Sequence, residues 1–158
     1  ACCLCTPRTT GQVSIAEGAN SFFDGKLGTF NANSPAWANN WAGVRNNDLA
    51  LVSEFKTPIL LSSVELRIME ETETGIFPPE SIEVWGGTSP TQLKKIAVLK
   101  PDIPPKYRTH LLQAVGGKFK PQTVSYLKII AKPLSKMPEW HGGKGKPALL
   151  LVDEVFIN

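Results

Sequence analysis

An all-β antiparallel sandwich or jelly roll of about eight short strands is the fold class this sequence predicts. Three observations lead there. Short segments alternate apolar and charged residues. Between them, 13 Gly and 13 Pro are scattered as turn residues along 158 positions. No stretch of ten or more residues carries a helical apolar period. The length is that of one domain, and 42% apolar with 20% charged residues is a globular composition.

Residues 1–11 lack periodicity and read as a tail or linker; residues 12–158 read as a single module without a linker-like break. Ser14–Gly18 is the best, and a short, helical candidate. Leu49–Phe55 reads as a strand. In Val64-Glu65-Leu66-Arg67-Ile68 one face is aliphatic and the other charged, the mark of a half-buried strand. Ile82-Glu83-Val84-Trp85 repeats the pattern between Pro78-Pro79 and Gly86-Gly87. Leu93–Leu99 follows, then Tyr107–Val115, which Gly116-Gly117 is expected to end. Tyr126–Ala131 is closed by Pro133. Ala148–Ile157 opens as a continuous aliphatic run, so both its faces are expected to be buried.

The net charge is +3, with basic and acidic residues interspersed and no block of five like charges. That is a solvated surface, not a nucleic-acid footprint. No apolar run approaches the roughly 20 residues that cross a bilayer, so membrane insertion is not expected. Ala1–Thr10 has neither a basic nor an apolar region of the signal-peptide kind, so an exported parent protein would carry its signal upstream. Cysteine is confined to Cys2, Cys3 and Cys5. They read as part of a linker or of a preceding domain, with one disulfide plus one free thiol as the alternative.

Catalytic sets are missing from the sequence. There is no G-x-S-x-G elbow, H-E-x-x-H, P-loop or G-x-G-x-x-G. Gly142-Gly143-Lys144-Gly145-Lys146 lacks phosphate-loop spacing and reads as a surface loop. Glu70-Glu71-Thr72-Glu73 follows a strand and precedes Gly75, which predicts a solvated loop. The chain is therefore expected to be no enzyme.

Three segments carry information. Phe22-Phe23-Asp24-Gly25-Lys26-Leu27-Gly28-Thr29 is a tight loop able to turn oxygens around a hard cation. Trp37-Ala38-Asn39-Asn40-Trp41-Ala42-Gly43 is rich in aromatics and amides. Trp140-His141-Gly142-Gly143-Lys144-Gly145-Lys146-Pro147 runs into Asp153-Glu154-Val155. In this order and separation they resemble the galactose-binding-like superfamily, with coagulation-factor type C (discoidin-like) domains and family thirty-two carbohydrate-binding modules as the nearest members. The resemblance spans residues 12–158.

That resemblance implies a jelly roll of about eight strands with adjacent termini. It also implies a structural calcium held by Asp24, Thr29 and Glu154, with carbonyls near Leu27 and Val155. It further implies a non-catalytic, glycan- or polysaccharide-binding module of a larger exported bacterial protein, outside the cytoplasm and accompanied by other domains. The alternative is a structural or protein-interaction domain. The expected sugar-contact set is Trp37, Asn39, Asn40, Arg45, Trp140 and His141, with aromatic rings stacking on sugar C–H faces. Trp37 is the best exposed platform, Trp41 reads as core, and Trp85 as packing or propping a loop. Trp140 and His141 either contact ligand or lock the final loop.

Overall fold

The computed structural model describes residues 22–31, 33 and 39–158. The tail with its cysteines, the Ser14–Gly18 segment and Trp37 lie outside the described residues. Six strands occur among the rest: β1 (Ala42–Val44), β2 (Leu49–Glu70), β3 (Ser81–Gly87), β4 (Lys94–Leu99), β5 (Leu111–Lys132) and β6 (Leu150–Ile157). They are antiparallel throughout, in the order β1-β6-β2-β5-β3-β4.

β2 and β5 are each 22 residues long and pair along nearly their whole length. Register shifts between Glu54 and Ile59 and between Leu61 and Ser63 interrupt the ladder mid-way, where bulges let a strand bend. The C-terminal half of β2 pairs with β6, and β6 with β1. The C-terminal half of β5 pairs with β3, and β3 with β4. One layer is thus β1-β6-β2-β5 and the other β2-β5-β3-β4. Counting each long strand as two segments recovers the expected eight.

The core between the layers draws on both. Leu51, Leu61, Val64, Leu66, Ile68, Ile82, Val84, Leu127, Ile129, Leu150 and Val152 form one buried cluster. Period-2 alternation places these residues inward and their charged neighbours outward.

The structure corrects the sequence reading in three places. β5 does not end at Gly116-Gly117. A Cβ on Gly116 would lie 2.1 Å from the Val64 carbonyl oxygen, so the glycine marks close strand approach, not a stop. The strand predicted from Tyr107 begins only at Leu111, because His110 has φ 54°, a conformation no strand accommodates. Finally, Glu70-Glu71-Thr72 is no solvated loop. All three are buried, answered by partners from the segment around Arg108. Glu70 meets the Arg108 guanidinium at 3.5 Å and the Gln113 amide; Glu71 accepts the His110 N–H at 3.0 Å. Burial still raises the Glu70 pKa, against the opposing pull of Arg108 and Gln113.

Candidate functional site

The 22–30 loop docks on β6, so the two distant segments of the sequence meet. Gly25 N–H donates to Glu154 Oε1 at 3.2 Å, and Gly28 N–H to Asp153 Oδ2 at 2.6 Å. Consecutive buried acids are anomalous in a strand of period 2. The register supplies the reason: β2 and β6 pair Arg67 with Glu154 and then Ile68 with Val152, leaving Asp153 as an extra, bulged residue. The bulge turns both carboxylates inward.

Arg67 sits at the centre. Its Nη1 is paired with Asp153 Oδ2 and donates to the Gly28 carbonyl at 3.0 Å, and its guanidinium lies 5.7 Å from the Trp41 ring centroid. Trp41 is 1% exposed, which bears out its reading as core, and its indole N–H donates to the Thr29 carbonyl at 3.3 Å. A Cβ on Gly28 would come within 2.8 Å of Trp41 Nε1 and 3.1 Å of Asp153 Oδ2. The missing side chain at that position is what allows the loop to seat.

The charge balance there is negative. Asp153 is raised by burial in spite of Gly28 and Arg67. Glu154 is pushed up to about 7, first by burial, with the Gly25 hydrogen bond and Arg67 opposing and the Asp24 and Asp153 charges adding to the rise. Glu154 Oε2 and Asp153 Oδ1 are buried without a hydrogen-bond partner among the described residues. Of the expected cation ligands, Asp24 stands next to the Gly25 whose N–H reaches Glu154, and Thr29 lies exposed on the same loop. Asp24 Oδ1 also caps its own turn by accepting the Lys26 N–H at 2.7 Å.

No group of three or more His, Cys, Asp or Glu side chains suited to a metal occurs among the described residues. A hard cation at this position would draw on two carboxylates, Thr29 and backbone carbonyls. Asp24 is met by Lys26 at 3.7 Å and Asp153 by Arg67, which leaves the unpartnered Glu154 oxygen as the feature that fits such an ion.

The second cluster lies at the sandwich rim, on the 137–147 loop. His141 is buried. Its Nδ1 accepts the Gly143 N–H at 2.9 Å, so Nε2 carries the proton and donates to the Thr72 carbonyl at 2.6 Å. Both ring nitrogens are thus engaged within the protein, and His141 anchors the loop. Trp140 is half-buried and meets Tyr107 edge-on, with ring centroids 4.9 Å apart. The Tyr107 hydroxyl accepts the Gly142 N–H at 3.3 Å while the residue stays 49% exposed. Trp140 and Tyr107 make an aromatic shelf.

Beside this loop, Arg45 lines two grooves. One, of about 290 Å³, is shared with Glu73, Thr74, His141 and Lys146. The other, of about 390 Å³, is shared with Asp48, Glu80 and Lys132. Asn39 and Asn40 are exposed on the turn before β1 but line neither groove. Trp85 stands on the sheet face with its indole N–H on Glu83 Oε2 at 3.0 Å. Tyr107 escaped the sequence reading because it was placed inside a strand. Its signal was an aromatic just beyond Pro104-Pro105.

Comparison with solved structures covers almost the whole chain. The family thirty-two module CBM32 of AlyQ, in complex with 4,5-unsaturated mannuronic acid, matches with a TM-score of 0.53 at 13% identity, over 96% of this chain and 93% of that one. This chain has the galactose-binding-like sandwich fold. Chitosan-binding module 1 of a chitosanase/glucanase from Paenibacillus sp. IK-5 shares that sandwich with a TM-score of 0.57 at 12% identity, over 98% and 94% of the two chains. CBM32-3 of a family 31 glycoside hydrolase from Clostridium perfringens reaches a TM-score of 0.63 at 8% identity, over 95% and 86%. No protein-family model matches the sequence, and no match to a curated protein was found. No helix among the described residues of this galactose-binding-like sandwich is long and apolar enough to cross a membrane.

Proposed function

We propose that the chain is a non-catalytic carbohydrate-binding module that holds a larger exported bacterial protein on a glycan or polysaccharide. The observation that carries this reading is the Trp140–Tyr107 shelf on the loop whose His141 and Lys146 line one Arg45 groove, at one rim of the sandwich. An aromatic face covers the C–H patch of a pyranose, and a guanidinium with neighbouring polar groups orients its hydroxyls. The solved modules that share the fold, one of them holding a sugar acid, support the same reading. Trp37, Asn39 and Asn40 extend the proposed contact set along the preceding loop, and His141 acts by holding the shelf in place. The module takes part in no bond-breaking step, works outside the cytoplasm and accompanies other domains of its parent.

A calcium ion held by Asp24, Thr29 and Glu154 is part of the proposal, with carbonyls near Leu27 and Val155 completing the shell. Bound there, it would supply positive charge between loop and strand and so fix the loop against β6.

The test is retention on an array of neutral and acidic glycans, comparing the native chain with Tyr107→Ala, Arg45→Ala and Trp37→Ala. Tyr107 and Arg45 are exposed, an unaltered melting temperature checks that each variant is folded, and each of the three changes is expected to weaken retention at least tenfold. Retention unaltered in all three variants would remove the rim as the site. Retention of the native chain on no glycan would leave a structural or interaction domain.

A further inference from the structure

We propose that the groove at the opposite end of β3 is a second binding site, one for an acidic saccharide whose carboxylates seat between Lys94 and Lys120. The groove measures about 550 Å³ and lies where Gly86-Gly87, the start of β4 and the 120–124 segment of β5 converge. That volume is within the range of small-molecule sites, about 300–1,000 Å³. β3 runs from the Glu80 end, beside Arg45, to the Gly86-Gly87 end. At about 3.3 Å per residue the two ends are roughly 20 Å apart. The site is therefore separate from the aromatic rim.

Its lining has one sign of charge. Lys94, Lys95 and Lys120 border it, and among the described residues neither Asp nor Glu does. Lys95 is already answered: its ammonium lies 3.3 Å from Glu83 Oε1 and 5.0 Å from the centroid of the Trp85 ring. Lys94 and Lys120 are exposed and have no ion pair among the described residues. Two unanswered ammonium groups flanking a concavity raise the local concentration of an anion and give it a place to stop.

The rest of the lining narrows the ligand class. Gln92 and Gln122 offer amides and Thr88 and Thr123 offer hydroxyls, which both donate and accept. Such groups suit a ligand rich in hydroxyls. Ile96 and Val124 supply an apolar floor. Among the described residues no aromatic ring borders the groove on which a nucleobase could stack, and no guanidinium fork is present for bidentate phosphate capture. A sugar ring bearing a carboxylate meets every one of these features. This inference is independent of the rim, because it uses neither Trp140 nor Arg45.

The test uses the full chain, isotope-labelled for amide NMR, titrated with tetragalacturonate, with maltotetraose as the neutral control and a single-stranded DNA octamer as the non-saccharide polyanion. Tetragalacturonate is expected to shift the amides of Gly86, Gly87 and Thr123. Lys94→Gln with Lys120→Gln should weaken that binding at least tenfold, while Arg45→Ala leaves the shifts at these three amides unchanged. Both lysines are exposed, and an unaltered melting temperature checks that the double variant is folded. The proposal is overturned if the shifts occur only at the rim, if the double variant binds as the native chain does, or if the DNA moves the same amides with equal affinity. Loss of rim binding alone would sink the function proposed above and leave this site standing.

Discussion

Removing the charge of Glu154 should make the cation-free protein more stable at neutral pH. The carboxyl is 4% exposed, and its pKa is pushed from 4.5 up to about 7. A group whose folded pKa lies above its unfolded value contributes its full stability below the unfolded pKa and loses it as pH rises through the folded one. In chelator, the native chain is therefore expected to lose stability between pH 4.5 and 7. At about 1.4 kcal/mol per unit the loss is of the order of 3 kcal/mol, an upper figure because the loop can relax and admit water. Glu154→Gln keeps the shape and an oxygen for Gly25 N–H but does not titrate. Urea unfolding at pH 4, 5.5, 7 and 8 should show the two proteins converging in acid, with the variant ahead by about 2–3 kcal/mol at pH 8. Asp153 and Glu70 are also raised by burial, but they are common to both proteins and largely cancel in the difference. Millimolar calcium at pH 8 should restore the native chain and leave the variant unmoved. A stability difference that stays constant across the pH range would refute this account of Glu154.

Two further substitutions test how the loop is seated. Gly28→Ala drives a methyl group to within 2.8 Å of Trp41 Nε1, and the overpacking should cost about 1–3 kcal/mol, read as a lower urea midpoint at constant slope. Arg67→Ala leaves Asp153 buried without its cation. The expected loss is about 3–5 kcal/mol at pH 7, shrinking in acid as the carboxyl takes up a proton. A loss equally large at pH 4 would place the effect in packing and not in charge.

The strand pattern was legible wherever burial is one-sided, as in Val64–Ile68 and Ile82–Val84, because period 2 is written directly into the residue types. The continuity of β2 and β5 was not. Thr57-Pro58 and Gly116-Gly117 look like stops locally, and only the approach of Val64 to Gly116 shows that the strand continues. Meeting of the Asp24 loop with Glu154 was legible as a resemblance, whereas the role of Asp153 was not, since a bulge depends on the register of another strand. The acidic run after β2 misled for the same reason. Its partners, Arg108, His110 and Gln113, lie far along the chain, and no local composition announces that a Glu will find an Arg. His141 could be placed on the loop but not assigned a role, because both hydrogen bonds depend on the path of backbone around Thr72 and Gly143.

The two long strands have a mechanical consequence. Since β2 and β5 belong to both layers and pair with each other in each, neither layer can melt without dragging covalently continuous neighbours out of the other. Loss of one layer therefore strips partners from strands the other layer shares, which couples the two layers and favours unfolding as one unit.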